Sequence, residues 1–463
     1  MIDVKDISKI YFIGIGGIGM SALARYFKFH GKEVTGYDKT ETNLTKALAG
    51  EGIAIHYEDN VSLAPKDADL VVYTPAVPKD HQELNYYRDN DYKLLKRSDV
   101  LGLITNSTFN IGVAGTHGKT TISTMVAHIL RHSGYGCNAF LGGISVNYNS
   151  NFWSDKRNVS VIEADEYDRS FLKLNPDIAV ISAMDADHLD IYGDELTMQD
   201  AFIEFSGKLK PGGLLITRFG LPQAKRFTTA RHKTYSLQNQ ASDIYGEDIL
   251  MDQGTYKFGV KTKSWNLKNV ILNMGGMHNV ENMIAAIAVA QELGIEDEKI
   301  KAGVESFRGV KRRFEYQVKN GNLVYVDDYA HHPEELRALI QGAKALFSDF
   351  HCVVIFQPHL FSRTRDFADE FAKSLDLADE TILLPIYPAR ELPVEGVKTE
   401  IIVQKMKQQG VKILDKKEII GYLRSEILPK AKTEKLLIIT AGAGDIDTLV
   451  EPVKALIQTN ELG

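Results

Sequence analysis

Short runs of aliphatic and β-branched residues recur along the chain. Between them lie longer stretches in which apolar positions return every three or four residues. Runs of the first kind read as strands buried on both faces and the second as covering helices, so their alternation predicts parallel α/β sheets. A first unit predicts strands over 9–15, 33–37 and 69–73, a helix over 19–29, and a close near Asn106-Ser107-Thr108. A second predicts strands over 109–113, 159–162, 178–182 and 214–217, with a helix over 122–132 and a strongly periodic, alanine-rich helix over 279–293. The polar, turn-rich stretch 238–268 reads equally as antiparallel strands or as an excursion from the sheet. A third unit predicts strands over 323–326, 352–356, 381–384 and 436–440, with Pro333 in the first turn of a helix. Three α/β domains follow, at 1–107, 108–316 and 317–463.

Composition narrows the partners. The chain has 463 residues, 44% hydrophobic and 25% charged, with a formal net charge of −7. No basic field favours nucleic acid or an anionic membrane, so a polyanionic ligand must be held locally. Cys137 and Cys352 stand far apart, without metal-ligand spacing, and read as small buried hydrophobes in a reducing compartment. The first residues lack the basic and apolar regions of a signal peptide, and no apolar run nears the ~18 residues of a membrane span. The expectation is a cytoplasmic protein, monomer or weak homodimer.

Two glycine motifs point to different chemistries. Gly14-x-Gly16-x-x-Gly19 lies between strand and helix with Asp38 after the next strand, the fingerprint of a dinucleotide site. Alone it suggests a nicotinamide enzyme, but such glycines let any diphosphate approach a helix N-terminus. Gly115-Thr116-His117-Gly118-Lys119-Thr120-Thr121 is a phosphate-cradling loop of short form, its Lys119 suited to terminal phosphates and its Thr120 hydroxyl to Mg²⁺. Two acidic segments follow predicted strands, 163–168 with Glu163 and 185–190 with His188. Both belong on the side where a parallel sheet collects ligands. Asn279 and Asn282, spaced i, i+3, suit either a purine edge or, for Asn279, a simple helix cap. Arg312 and Arg313 stand beside a domain boundary, and His359, Arg363 and Arg390 follow strands of the third unit, where an amino acid's charges find partners.

Taken together these strings resemble the Mur ligases of peptidoglycan synthesis over essentially the whole chain. The resemblance rests on 14–20, 114–121, 163–168, Asp187-His188, His278 to Asn282, 312–314, 328–333 and 388–391. It implies an N-terminal Rossmann-like UDP-binding domain, a central P-loop-type ATPase domain and a C-terminal Rossmann-like domain for an amino acid. The implied reaction is ATP-dependent, with Mg²⁺ or Mn²⁺. The carboxylate of UDP-N-acetylmuramate becomes an acyl phosphate that L-alanine attacks. The resemblance gives Lys119 the transferring phosphate, Thr120 and Glu163 the first cation, and His188 a second. It gives His278, Asn279 and Asn282 the adenosine, and Arg312, Arg313 and Asp328 further contacts to ATP. Gly16, Gly17, Gly19, Asp38, Thr74 and Ser98 take the UDP-sugar; His359, Arg363 and Arg390 take the amino acid. Ile203 stands where members that add later residues carry a carbamylated lysine, which points to the alanine-adding branch. Leu360 replaces an arginine of some alanine-adding members, and Tyr167 and Ala183-Met184-Asp185 also depart from the common pattern. The alternative is the sister ligase that recycles L-Ala-γ-D-Glu-meso-diaminopimelate onto the same nucleotide sugar.

Overall fold

The computed structural model describes residues 6–185, 189–252, 254–389 and 391–460, without the side chains of 168, 189, 190 and 460. His188 and Arg390 therefore lie outside the described residues.

Five parallel strands form the first sheet: β1 (Lys9–Ile13), β2 (Glu33–Tyr37), β3 (Ala54–His56), β4 (Leu70–Tyr73) and β5 (Leu94–Lys96), in the order β3-β2-β1-β4-β5. Helices α1 (Ile18–Phe29), α2 (Asn43–Gly50) and α3 (Gln82–Asp89) lie between them, and α4 (Arg97–Ser107) leads from β5 to the second sheet. Order reverses on either side of β1, so the β1–α1 loop opens at a switch point, where ligands gather.

The second sheet holds β6 (Phe109–Ala114), β7 (Asn138–Ser145), β8 (Ser150–Trp153), β9 (Val159–Glu163), β10 (Ile178–Ile181), β11 (Leu214–Arg218), β12 (His232–Ser236), β13 (Ile244–Asp252), β14 (Thr255–Lys261) and β15 (Asn266–Leu272). Its order is β15-β14-β13-β12-β11-β10-β6-β9-β7-β8. The undecided stretch 238–268 thus supplies consecutive sheet strands. Helix α5 (Lys119–His132) follows β6 and starts three residues before the expected 122, so that Lys119, Thr120 and Thr121 make its first turn. Beyond it come α6 (Leu189–Tyr192), α7 (Glu195–Ser206), α8 (Met277–Glu292) and α9 (Asp297–Ser306).

The third sheet runs β16-β17-β21-β18-β19-β20, from β16 (Glu315–Lys319), β17 (Leu323–Asp328), β18 (Phe350–Phe356), β19 (Glu380–Leu383), β20 (Lys412–Ile413) and β21 (Lys435–Ala441). Only β16 is antiparallel to its neighbour. Pro333 opens α10 (Pro333–Leu346) as expected; α11 (Phe361–Asp366) and α12 (Ala368–Leu375) follow β18.

The chain divides into two compact units, Met1–Asp248 with Phe258–Val270 and Val280–Phe307, and Ile249–Lys257 with Ile271–Asn279 and Arg308–Gly463. Residue 107 is no gap between compact units. The outer face of α1 packs on the β7–β8 hairpin, with Tyr26 against Phe140 and Phe152. There Asn151 Nδ2 donates to the Ile18 carbonyl at 2.5 Å. One core, including Phe12, Phe27, Ile162 and Phe202, runs through both sheets of this unit. Among the described residues no helix is long and apolar enough to cross a membrane.

Candidate functional site

The N-terminal glycine loop is closed by its own acid. Gly14 has φ +85°, open to glycine at little cost, and its N–H and that of Ile15 donate to the Tyr37 carbonyl at the end of β2. The next residue, Asp38, accepts the Gly16 N–H at 2.7 Å through Oδ2. A side chain at Gly16 would collide with Asp38 and Thr45, and one at Gly14 would stand 2.8 Å from the Thr74 methyl. Gly17 precedes α1 without any side-chain cap on that helix. Gly19 sits beneath the Arg97 guanidinium, which reaches Asp165 Oδ2 at 3.4 Å. Ser98 lies beside Arg97 in the first turn of α4. The sequence reading named Ser98 and passed over Arg97, the cation that meets the glycine loop.

The phosphate loop joins β6 to α5 and is flanked by β9 and β10, whose carboxyl ends carry Glu163 and Ser182. Gly115 (φ +134°) leaves no room for a Cβ against Ser182, and Gly118 (φ +82°) would place one 2.9 Å from Asn282 Oδ1. Thr116 N–H donates to the Ala183 carbonyl, Thr116 Oγ1 accepts from Asp185 N at 3.2 Å, and the Ser182 hydroxyl donates to the His117 carbonyl. His117 itself is exposed and Thr121 buried.

Lys119 Nζ donates to the Gly115 carbonyl and to Glu166 Oε1, both at 2.7 Å. Thr120 Oγ1 donates to Glu163 Oε1 at 3.0 Å, while Glu163 Oε2 accepts from Gly142 N at 2.8 Å. Burial pushes both carboxyls above the ordinary range, and the Lys119 charge opposes that rise at each. Glu166, fully buried, is the partner that sequence reasoning missed, although it lies within the quoted acidic segment. Among the described residues no three His, Cys, Asp or Glu side chains form a cluster able to hold a metal. Glu163 and Thr120 nonetheless bring two hard oxygens together, a pair suited to a divalent cation that also has phosphate and water oxygens.

In the second unit, both Asp328 oxygens accept backbone N–H groups, from Phe314 at 2.6 Å and Ala330 at 2.7 Å. Burial raises this carboxyl to about 6 against those bonds. Asn279 Nδ2 donates to the Gly275 carbonyl at 2.6 Å, so this amide braces the start of α8. His278 and Arg313 are exposed, and Arg312 takes φ +60°.

Beyond β18, Leu360 N–H donates to the Tyr387 carbonyl and Tyr387 N–H to that of Pro358, drawing two strand ends together. The His359 and Tyr387 rings stack at 5.8 Å. Burial and then Arg363 hold His359 below the usual imidazole range. Arg363 Nη1 and His359 Nδ1 are buried without a hydrogen-bond partner among the described residues. The Arg363 guanidinium N–H is a donor that could take up an anionic or carbonyl group. Ser362 donates its hydroxyl to Glu391, and its N–H bonds the same carboxylate at 3.0 Å.

Comparison with known proteins adds three matched segments: Mur ligase family, catalytic domain, at 9–108; Mur ligase middle domain at 113–290; and Mur ligase, glutamate ligase domain, at 312–444. UDP-N-acetylmuramate–L-alanine ligase of Cytophaga hutchinsonii is 48% identical, over 98% of each chain. The crystal structure of UDP-N-acetylmuramate–alanine ligase from Thermotoga maritima superposes with a TM-score of 0.82 at 30% identity, over 98% of this chain and 99% of that one. A murein peptide ligase from Psychrobacter arcticus shares the fold at 23% identity and a TM-score of 0.66, over 97% and 98% of the two chains.

Proposed function

The chain belongs to the Mur ligase family of three-domain, ATP-dependent α/β ligases, and from that premise we propose that it joins L-alanine to UDP-N-acetylmuramate in the synthesis of peptidoglycan precursors. The observation that carries the reading is the Lys119 ammonium at the head of α5, beside a glycine loop and paired with the buried Glu166, with Glu163 on the neighbouring Thr120. Alanine-adding relatives match at 48% identity, whereas the tripeptide ligase shares only the fold, which favours the first reading over the recycling one.

In this reading the carboxylate of UDP-N-acetylmuramate attacks the terminal phosphorus of ATP, the bond to the bridging oxygen breaks, and ADP leaves. The alanine amine then attacks the acyl carbon, loses a proton, and expels inorganic phosphate. Lys119 and the N–H groups at the start of α5 neutralise the transferring charge. Mg²⁺ held by Glu163, Thr120 and nucleotide oxygens would add neutralisation of the same charge. The role of second cation ligand rests with His188. Gly16, Gly17, Gly19, Asp38, Thr74 and Ser98, joined by Arg97, hold the UDP-sugar. Arg363, with His359 and Arg390, holds the alanine carboxylate. The three domains are read as 1–107, 108–316 and 317–463. The enzyme is read as cytoplasmic, a monomer or weak homodimer.

The test is phosphate release with ATP, Mg²⁺ and UDP-N-acetylmuramate against each standard amino acid and the tripeptide. Strong release with L-alanine is expected. Release with the tripeptide in preference to L-alanine would replace this reading with the recycling one.

A further inference from the structure

Arg312 occupies left-handed backbone, a conformation disfavoured for a residue with a Cβ, so its neighbours must hold it there. Its N–H donates to Glu315 Oε2 at 2.9 Å and its carbonyl accepts from Tyr329 N at 2.7 Å. Its guanidinium donates through Nη2 to the Gly442 carbonyl, lies 5.1 Å from the Tyr329 ring centroid, and presents Nε to Asp327 Oδ2 at 3.4 Å. Asp327 stands opposite Thr440 in the β17–β21 register and is fully buried. Thr440 gives its single hydroxyl proton to Asp327 Oδ1 at 2.6 Å, so it accepts from Tyr325 O–H at 3.1 Å. The hydrogen bonds therefore run one way, from Tyr325 through Thr440 to a carboxylate whose other oxygen faces Arg312.

We propose that Asp327 is the positioning residue for Arg312, fixing the guanidinium in the orientation in which it meets the nucleotide phosphates. The inference rests on the ligase reading of Arg312 and deepens it. Asp328, the acid named from the sequence, spends both oxygens on backbone N–H groups, whereas Asp327 Oδ2 makes no hydrogen bond among the described residues and faces Arg312 Nε at ion-pair distance. Burial, Asp328 and Glu315 disfavour charge on Asp327, while Thr440 and Arg312 favour it, and its carboxyl stands raised to about 7. The grip on Arg312 accordingly strengthens as pH rises through that value.

The experiment is calorimetric titration of the full chain with MgATP alone at pH 6 and 8, for wild type, Arg312→Ala, Asp327→Asn and Thr440→Val. Loss of the charge facing the guanidinium predicts about 10-fold weaker binding by D327N at pH 8. The ratio to wild type should shrink toward one at pH 6, where the wild-type Asp327 carboxyl is mostly protonated and, like the amide, neutral. T440V should shift binding the same way by less. The melting temperature of D327N at pH 8 should match or exceed that of wild type, since a charge disfavoured by burial is gone. Wild-type affinity in D327N at pH 8 overturns the proposal, as does a pH-independent ratio with a lowered melting temperature. Normal binding by R312A overturns it together with the role given to Arg312. Absence of alanine-dependent phosphate release, measured separately, would strike the ligase reading alone.

Discussion

Replacing Lys119 with methionine separates catalysis from stability in one position. Its ammonium lies 2.7 Å from Glu166 Oε1, with side-chain exposures of 15% and 0%. At an effective dielectric of about 20 that separation corresponds to a gross attraction of about 6 kcal/mol. Desolvation of both ions offsets much of it, but removing one partner of a buried pair still costs about 3–5 kcal/mol. The orphaned carboxylate answers by taking a proton. Glu163 and Glu166 already hold their protons above the ordinary range, so the native state binds more protons than the unfolded chain there. Stability from these groups is full below the ordinary carboxylate range and falls as pH rises through their native values. Without Lys119 those values climb further. Lys119→Met should therefore melt only slightly below wild type near pH 5 and well below it at pH 8. Turnover should drop about 10²- to 10³-fold, the usual loss when one preorganised charge is withdrawn from a developing oxyanion. Adding Glu166→Gln should restore most of the melting temperature at pH 8 and none of the turnover. Differential scanning calorimetry and phosphate release with L-alanine make the check. Turnover in K119M within a few-fold of wild type, or a melting deficit independent of pH, would refute the reasoning.

Other perturbations address the remaining contacts. Gly118→Ala forces a Cβ into left-handed backbone and to within 2.9 Å of Asn282 Oδ1. It should lower stability by about 1–2 kcal/mol in a denaturant titration and raise KM for ATP. Asp38→Ala frees the Gly16 N–H, so calorimetry should find UDP-N-acetylmuramate bound about 10-fold more weakly, with ATP affinity unchanged. Arg363→Met should raise KM for L-alanine about 10- to 100-fold and leave KM for ATP alone, because its buried Nη1 stands with His359 at the strand ends read as the alanine site. Equal effects on both substrates in that variant would point to misfolding of the strand ends instead. Thr120→Val removes one hard oxygen 3.0 Å from Glu163. It should raise the Mg²⁺ concentration needed for half-maximal rate, read from an activity titration against free Mg²⁺.

What could be read from residue types was whatever depends on local pattern. Buried strands such as β10 and β21 are nearly unbroken aliphatic runs, and Gly14 and Gly118 mark turns that need φ above zero, so the sheets and both glycine loops were legible. The acidic segments were placed at strand ends by the rule for parallel sheets, and Glu163 indeed meets Thr120. Pairings across the chain were not legible. Nothing local distinguishes Glu166 from Asp165 as the partner of Lys119; that choice is made by Glu166 being fully buried, where only a cation makes its charge tolerable. Arg97 was overlooked beside Ser98 because its contact with Gly19 depends on the packing of α4 against α1. The Asp327–Asp328 pair shows the same limit more sharply. Adjacent residues on a strand point to opposite faces, so one of the two acids ties down the turns at Phe314 and Ala330 while the other enters the core and faces Arg312. A motif marks both as acids at a strand end, and only the register of β17 against β21 decides which of them faces the arginine.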